Sequence, residues 1–249
     1  MTAPALLPPP APSPGVSCLC LTYGRPHLLE EAVESFLRQD WQGPKELVLL
    51  NDHPAQEIVF DHPEVHVVNL GRRLRTLGEK RNLSVALARY DNLLVWDDDD
   101  IYLPWRITET MKTLPVDQFY KCPNAWCIDH GRWKDRPDYN LFHGGTAYTR
   151  WLFQAAGGYG YLDSGEDAAI EWRFQNVTPE QGRYWKHTLL PWNRIYYVYR
   201  WGHGSYHTTG CKSLSDIAPV VTRGRVALRP RWDADYVGLA TEKARGQHR

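Results

Sequence analysis

No apolar run in this sequence approaches the ~20 residues that a membrane-spanning helix requires. It also lacks net charge, with 29 Lys and Arg balancing 29 Asp and Glu. The second absence removes any global field that would draw the chain to nucleic acid or anionic lipid. No secretory leader is expected either. The opening "MTAPALLPPPAPSPG" has no basic start, and prolines interrupt its short apolar run. Residues 1–15 are uncharged and rich in Pro and Ala, the composition of a disordered tail. The expectation is a soluble, cytoplasmic protein without a transmembrane segment. Cysteine is scarce and odd in number, at five. Cys122 and Cys127 lack the spacing of a zinc knuckle, and Cys18 and Cys20 alternate with apolar residues. Buried, reduced thiols are the reading for such residues.

What is present is an ordinary globular composition over 249 residues, enough for one large domain. "VSCLCLTY" (Val16 to Tyr23) reads as a buried strand. "RPHLLEEAVESFLRQD" follows with apolar residues at helical spacing and Pro26 in its first turn. "KELVLLND" and "EVHVVNLG" read as strands, "TLGEKRNLSVALARY" as a helix and "NLLVW" as a fourth strand. This order predicts an α/β layer with a mostly parallel central sheet flanked by helices. Ligands of such sheets bind beyond the carboxyl ends of the strands. Thr22, Tyr23, Asp52 and the run Asp97 to Asp100 sit at those ends. Beyond Pro104 the chain is dense in Trp, Tyr, Gly and His and reads as mixed strands and loops. No repeat or linker divides it.

The run "DDDD" places four carboxylates after an apolar strand. Continued as a strand, it would put Asp97 and Asp99 on one side and Asp98 and Asp100 on the other. Crowding of this kind raises carboxylate pKa values unless a cation neutralises it. A hard divalent ion does so with one or two protein carboxylates, completing its shell with water and substrate phosphate. The alternative is a solvated acidic turn that caps the helix beginning near Pro104.

Together, "SCLCLTYGRPHLLEEAVESFLRQDW", "ELVLLNDHP" and "GEKRNLSVALARYDNLLVWDDDDIYLPWRI" resemble the donor half of family 2 glycosyltransferases with the A-type (GT-A) fold. The resemblance covers roughly the first 110 residues. It implies a single nucleotide-diphospho-sugar transferase domain over residues 16–249. Within it, 16–110 would form the donor half, 111–215 the acceptor half and 216–249 a C-terminal extension. The family's D-x-D motif maps onto Asp97 to Asp99, with a register uncertain by one residue. It implies Asp99 as metal ligand, Asp97 or Asp98 against the donor's ribose or sugar, and Asp100 in support. Thr22, Tyr23 and Arg25 match the segment lining the nucleotide base, although Gly24 stands where the family has Asn. Asp52 matches an acidic residue that reads base or ribose, here in the divergent context "NDHP". Arg81, with Lys80 second, matches the basic residue that approaches the nucleotide. A helix start near Gly78 with a guanidinium suits a diphosphate, and a surface helix arginine is the plainer alternative.

"FHGGTAYTRWLFQAAGGYGYLDSGEDAAIEWRF" holds the remaining chemistry. The glycines of "HGGT" permit close backbone approach to a ligand. Glu166 and Asp167 open a helix, where acidic residues suit capping. The resemblance instead implies Asp167 as general base, with Glu166 as runner-up or acceptor ligand. Inverting transfer needs one such base and one metal site. The family often completes the metal shell with a late histidine, which points to His207 first and His203 second. Imidazole suits manganese better than magnesium.

The expected activity is therefore inverting, Mn2+- or Mg2+-dependent transfer of a sugar from a nucleoside diphosphate-sugar, UDP-sugar favoured, to an unknown acceptor hydroxyl. Nucleic acid is a less favoured acceptor. A nucleotidyltransferase is ranked below, because "TYGRPH" lacks a Gly-rich basic phosphate loop. A sugar-nucleotide binder without turnover is the rival outside catalysis.

Overall fold

A computed structural model describes residues 14–114, 118–139, 142–177, 189–202 and 222–246. The first half runs β1 (Val16–Thr22), α1 (Pro26–Leu37), β2 (Lys45–Asn51), β3 (Gln56–Val59), β4 (Val65–Asn69), α2 (Leu77–Leu87), β5 (Asn92–Asp97), β6 (Ile101–Tyr102) and α3 (Arg106–Met111). Next come β7 (Phe119–Lys121), β8 (Asn124–Asp129), β9 (Arg132–Trp133), β10 (Asp138–Tyr139), a 3-10 turn at His143–Gly145, β11 (Thr146–Thr149), α4 (Arg150–Ala155) and α5 (Glu166–Val177). The last elements are β12 (Tyr197–Trp201), β13 (Gly224–Ala227) and α6 (Tyr236–Arg245).

The central sheet has strand order β4-β2-β1-β5-β11-β7. β1, β2, β4 and β5 are parallel, while β11 and β7 add an antiparallel edge. The expected mostly parallel α/β layer is present. The sheet also crosses residue 110, since β7 and β11 come from beyond it. A second sheet has the order β10-β8-β12-β6, with β9 on β8.

The central strands alternate two sets of buried side chains, as a sheet covered on both faces requires. Cys18, Cys20, Leu47, Leu49, Leu94 and Trp96 join one core with Leu29, Ala32, Val33 and Phe36 of α1. Leu19, Val48, Leu93 and Val95 point the other way, into a core with Val85 of α2, Leu152 of α4 and Ile170 and Phe174 of α5. Each such burial stabilises by about 1.5–3 kcal/mol before entropy is counted. The four described cysteines are buried and reduced as expected, and burial pushes the Cys18 thiol up to about 12. Among the described residues no helix is long and apolar enough to cross a membrane.

Two local contacts fix the start of α2. The helix opens on a Thr76 cap, whose hydroxyl accepts from Glu79 N at 3.1 Å. Directly after it, Gly78 N donates to Leu162 O at 3.0 Å, and a Cβ at Gly78 would collide with the Gly160 carbonyl. Gly78→Ala is therefore expected to cost about 1–3 kcal/mol through backbone displacement, read as a fall in melting temperature. An ordinary exposed Gly-to-Ala change within a helix would instead raise it.

The C-terminal extension contributes a strand, β13. β13 pairs in parallel with β3, and its neighbour Trp232 donates Nε1 to Ser35 Oγ of α1 at 3.0 Å. Arg223, Arg225, Arg229 and Arg231 remain exposed.

Candidate active site

The ends of three adjacent parallel strands lie level. Thr22 pairs with Asn51 across β1 and β2, and Leu21 pairs with Asp97 across β1 and β5. The residues beyond these ends, Tyr23, Arg25, Asp52 and Asp98 to Asp100, form one polar floor at the carboxyl edge of the sheet.

β5 ends at Asp97, and the chain turns through Asp98 to Asp100 before β6. The two-sided alternation expected of a continued strand is thus replaced by a turn. Asp97 stays half-buried, while Asp98, Asp99 and Asp100 are buried. The turn is held from several sides. Arg25 spans two of its carboxylates, with Nη2 2.5 Å from Asp98 Oδ1 and Nη1 3.1 Å from Asp99 Oδ2. Asp100 accepts from the Tyr197 hydroxyl at 2.5 Å and from Arg200 N at 2.9 Å. Arg200 Nε donates to the Asp99 carbonyl at 2.5 Å, and its guanidinium pairs with Glu31. These bonds hold the Asp100 carboxylate inside the turn. Burial, reinforced by the Asp99 and Asp97 charges, pushes the Asp100 carboxyl well above the usual range. Burial likewise raises Asp98 to about 6, against the pull of Arg25.

Lys80 and Arg81 lie on α2, but their charges go to different partners. Lys80 Nζ is buried and donates to Asp52 Oδ1 at 2.5 Å and to Thr22 O at 2.7 Å. It cross-links the ends of β1 and β2. Burial pushes this ammonium below its ordinary value, with Asp52 opposing the shift. Asp52 also accepts from Leu74 N at 3.1 Å. Arg81 Nε pairs with Glu166 Oε1 at 2.9 Å, and its guanidinium lies over the Tyr159 ring. Tyr23 leans on His53 with ring centroids 4.7 Å apart, and Arg73 covers the Tyr23 ring.

The two acidic residues opening α5 differ in surroundings. Glu166 is buried and neutralised by Arg81. Asp167 is half-buried, and among the described residues its carboxylate bonds only the adjacent Ala168 amide. Of the two, Asp167 alone has no ion pair among the described residues. One turn further along, Glu171 anchors the helix. Its carboxylate accepts from Lys121 Nζ at 2.7 Å on both oxygens and meets His143 Nδ1 at 3.0 Å. His143 Nε2 meets the Tyr159 hydroxyl at 3.0 Å. The 3-10 turn carrying His143 also touches the acidic turn, because a Cβ at Gly144 would fall 2.7 Å from Asp97 Oδ2. Gly144 of "HGGT" thus allows close approach to the Asp97 carboxylate and the Tyr197 hydroxyl, whereas Gly145 lies against Cys122. Glu171, Lys121 and His143 were not legible as site residues. The only sequence signal was the i+4 spacing of Asp167 and Glu171 on a helix.

His203 and His207 lie outside the described residues. Among the described residues no three of His, Cys, Asp and Glu converge on a metal position. The acidic turn nevertheless suits a hard cation. Its donors are carboxylate oxygens, and Asp98 Oδ2 is buried with no hydrogen-bond partner among the described residues. Two carboxylates suffice when phosphate and water complete the shell.

Comparison with known proteins gives a consistent placement. The model of the family "Glycosyl transferase family 2" matches residues 17–161, more than half of the chain. No curated protein sequence matches. Among solved structures, S. aureus TarS 1-349 in complex with UDP-GlcNAc is similar with a TM-score of 0.56 at 17% identity, over 82% of this chain and 64% of that one. S. aureus TarS 1-349 alone gives a TM-score of 0.51 at 14% identity, over 74% of this chain and 60% of that one. Its complex with UDP gives 0.50 at 16%, over 75% and 60%. The chain spans about three fifths of those structures' length.

Proposed function

The chain belongs to glycosyl transferase family 2, and we propose that it is an inverting, divalent-metal-dependent transferase moving a sugar from a nucleoside diphosphate-sugar to an acceptor hydroxyl. One observation carries the reading. The acidic turn, Thr22 and Asp52 share the carboxyl edge of a parallel sheet, where such folds bind nucleotides. Tyr23, with His53 and Arg73 around its ring, supplies a surface for a base. Asp52, fixed by Lys80 and Leu74 N, presents a rigid acceptor to base or ribose. A UDP-sugar is the favoured donor, in keeping with the UDP-GlcNAc and UDP complexes of S. aureus TarS.

Asp99 would hold Mn2+ or Mg2+; Asp98, expected against the donor's ribose or sugar, is reassigned as a second ligand because its buried Oδ2 has no partner among the described residues, and Asp97 stays nearer the donor's sugar. When bound, such an ion supplies positive charge against the leaving diphosphate. Asp167 takes the proton from the acceptor hydroxyl as that oxygen attacks the anomeric carbon. The Arg81–Glu166 pair ties α5 to α2, so that Asp167 is presented from a fixed helix start.

A thermal-shift screen of nucleoside diphosphate-sugars tests the reading. The melting temperature is expected to rise with UDP-GlcNAc or a related donor only when Mn2+ is also present. At ligand concentrations a hundredfold above Kd the stabilisation is about 2.7 kcal/mol. An equal rise without metal would remove the metal from the proposal.

A further inference from the structure

We infer that Arg25 is the resident counter-cation of the acidic turn and gives way to the divalent ion, so that Arg25 sets the affinity of the turn for metal. The inference rests on the metal reading above and extends it to a residue that the resemblance placed only against the nucleotide.

The geometry is that of a built pair. Arg25 immediately precedes Pro26 at the start of α1 and is 6% exposed. Its planar fork reaches two different carboxylates, at 2.5 Å on Asp98 and 3.1 Å on Asp99, both of them buried. A guanidinium is suited to such bridging because its donors diverge in one plane. Two adjacent buried carboxylates without a cation would repel each other. Arg25 therefore stabilises the ionised turn before any ligand arrives.

The same oxygens are the ones a hard cation needs. A metal cannot take Asp98 Oδ1 and Asp99 Oδ2 while the fork holds them. Compensation is also incomplete, for the fork leaves out Asp98 Oδ2, which is buried and has no hydrogen-bond partner among the described residues. An ion that engages the whole carboxylate would satisfy an atom that the fork leaves bare. The neighbouring cations have other partners. Lys80 is bound to Asp52 and Thr22 O, Arg81 to Glu166, and Arg200 to Glu31 and the Asp99 carbonyl. Exchange of Arg25 for a divalent ion thus changes the partner of the acidic turn without disturbing the pairs around it.

Mn2+ binding by the full chain without nucleotide, followed by loss of the free-ion electron paramagnetic resonance signal, decides the matter. Arg25→Gln is expected to bind Mn2+ at least about tenfold more tightly than the wild type, since the fork no longer competes with the ion for Asp98 Oδ1 and Asp99 Oδ2. Arg25→Lys is expected between them, because one ammonium cannot span both carboxylates. Without metal, Arg25→Gln should melt lower than wild type, and Mn2+ alone should restore it. If Arg25→Gln folds only with Mn2+ present, that dependence is the expected result; if it folds under neither condition, Arg25→Lys decides. Equal or weaker Mn2+ binding by the variants, while the wild type binds Mn2+ in the presence of UDP, overturns the role of Arg25 and leaves the metal reading standing. Absence of Mn2+ binding in every protein, with and without UDP, overturns both.

Discussion

Asp167→Asn is expected to retain donor binding and to lose sugar transfer by roughly 10²–10⁴-fold, the usual contribution of a positioned general base. The asparagine amide preserves shape but cannot take the acceptor proton. Two measurements separate the effects: the donor-induced thermal shift with Mn2+, and release of nucleoside diphosphate in the presence of an acceptor panel. Glu166→Gln is the informative control. Glu166 is neutralised by Arg81, so its substitution should chiefly weaken the tie between α5 and α2 and lower the melting temperature. If Asp167→Asn transfers at the wild-type rate, the base lies elsewhere. A protein that only binds sugar nucleotides would show no transfer in the wild type, and Asp167→Asn would leave its binding intact.

Glu171→Ala is expected to have the largest effect on stability, about 3–5 kcal/mol, the cost of removing one partner from a buried ion pair. For a chain of this size that corresponds to a fall in melting temperature on the order of 10 °C. The loss leaves Lys121, 2% exposed, as an uncompensated buried ammonium and strips His143 Nδ1 of its partner. Replacing both members of the pair, Lys121→Met with Glu171→Leu, should recover much of the stability, since the buried charges vanish together. Calorimetric unfolding of the single and double variants checks both statements. The pH dependence comes from the same contacts. Burial acts to raise the Glu171 carboxyl, but His143 and Lys121 outweigh it and hold the group below its ordinary value. A carboxyl lowered in the folded state contributes stability that is present above the ordinary carboxylate range. That contribution is lost as pH falls through the lowered value. Glu171→Gln should therefore flatten the acid limb of the stability curve relative to wild type.

These two residues lie four apart on one helix and illustrate how differently a role can be written in a sequence. The base role proposed for Asp167 was suggested by "GED" at a helix start, after a glycine-rich segment, in a chain that resembles a known family. Glu171 sits in an unremarked position of "EDAAIEWRF". Its importance comes from Lys121, 50 residues away, and His143, 28 residues away. The same contrast separates Lys80 from Arg81. "GEKRN" offers two adjacent cations to a nucleotide, and only the packing of α2 assigns Lys80 to Asp52 and Arg81 to Glu166.

By itself the sequence determined the layered α/β order and the strand ends where polar residues gather, and it pointed to the carboxylates on which the proposed chemistry would rest. Strand and helix periodicity, proline and glycine punctuation and the caps are all local, so they survive reading in one dimension. Only the tertiary structure decided which charges compensate which. It turned the chain after Asp97, set Arg25 across Asp98 and Asp99, and laid β13 beside β3. Arg25 and Asp99 stand 74 positions apart in the chain, and Gln56 and Thr222 stand 166 apart. The energies of such contacts depend on distances of a few ångströms and on burial, and neither exists until the chain has folded.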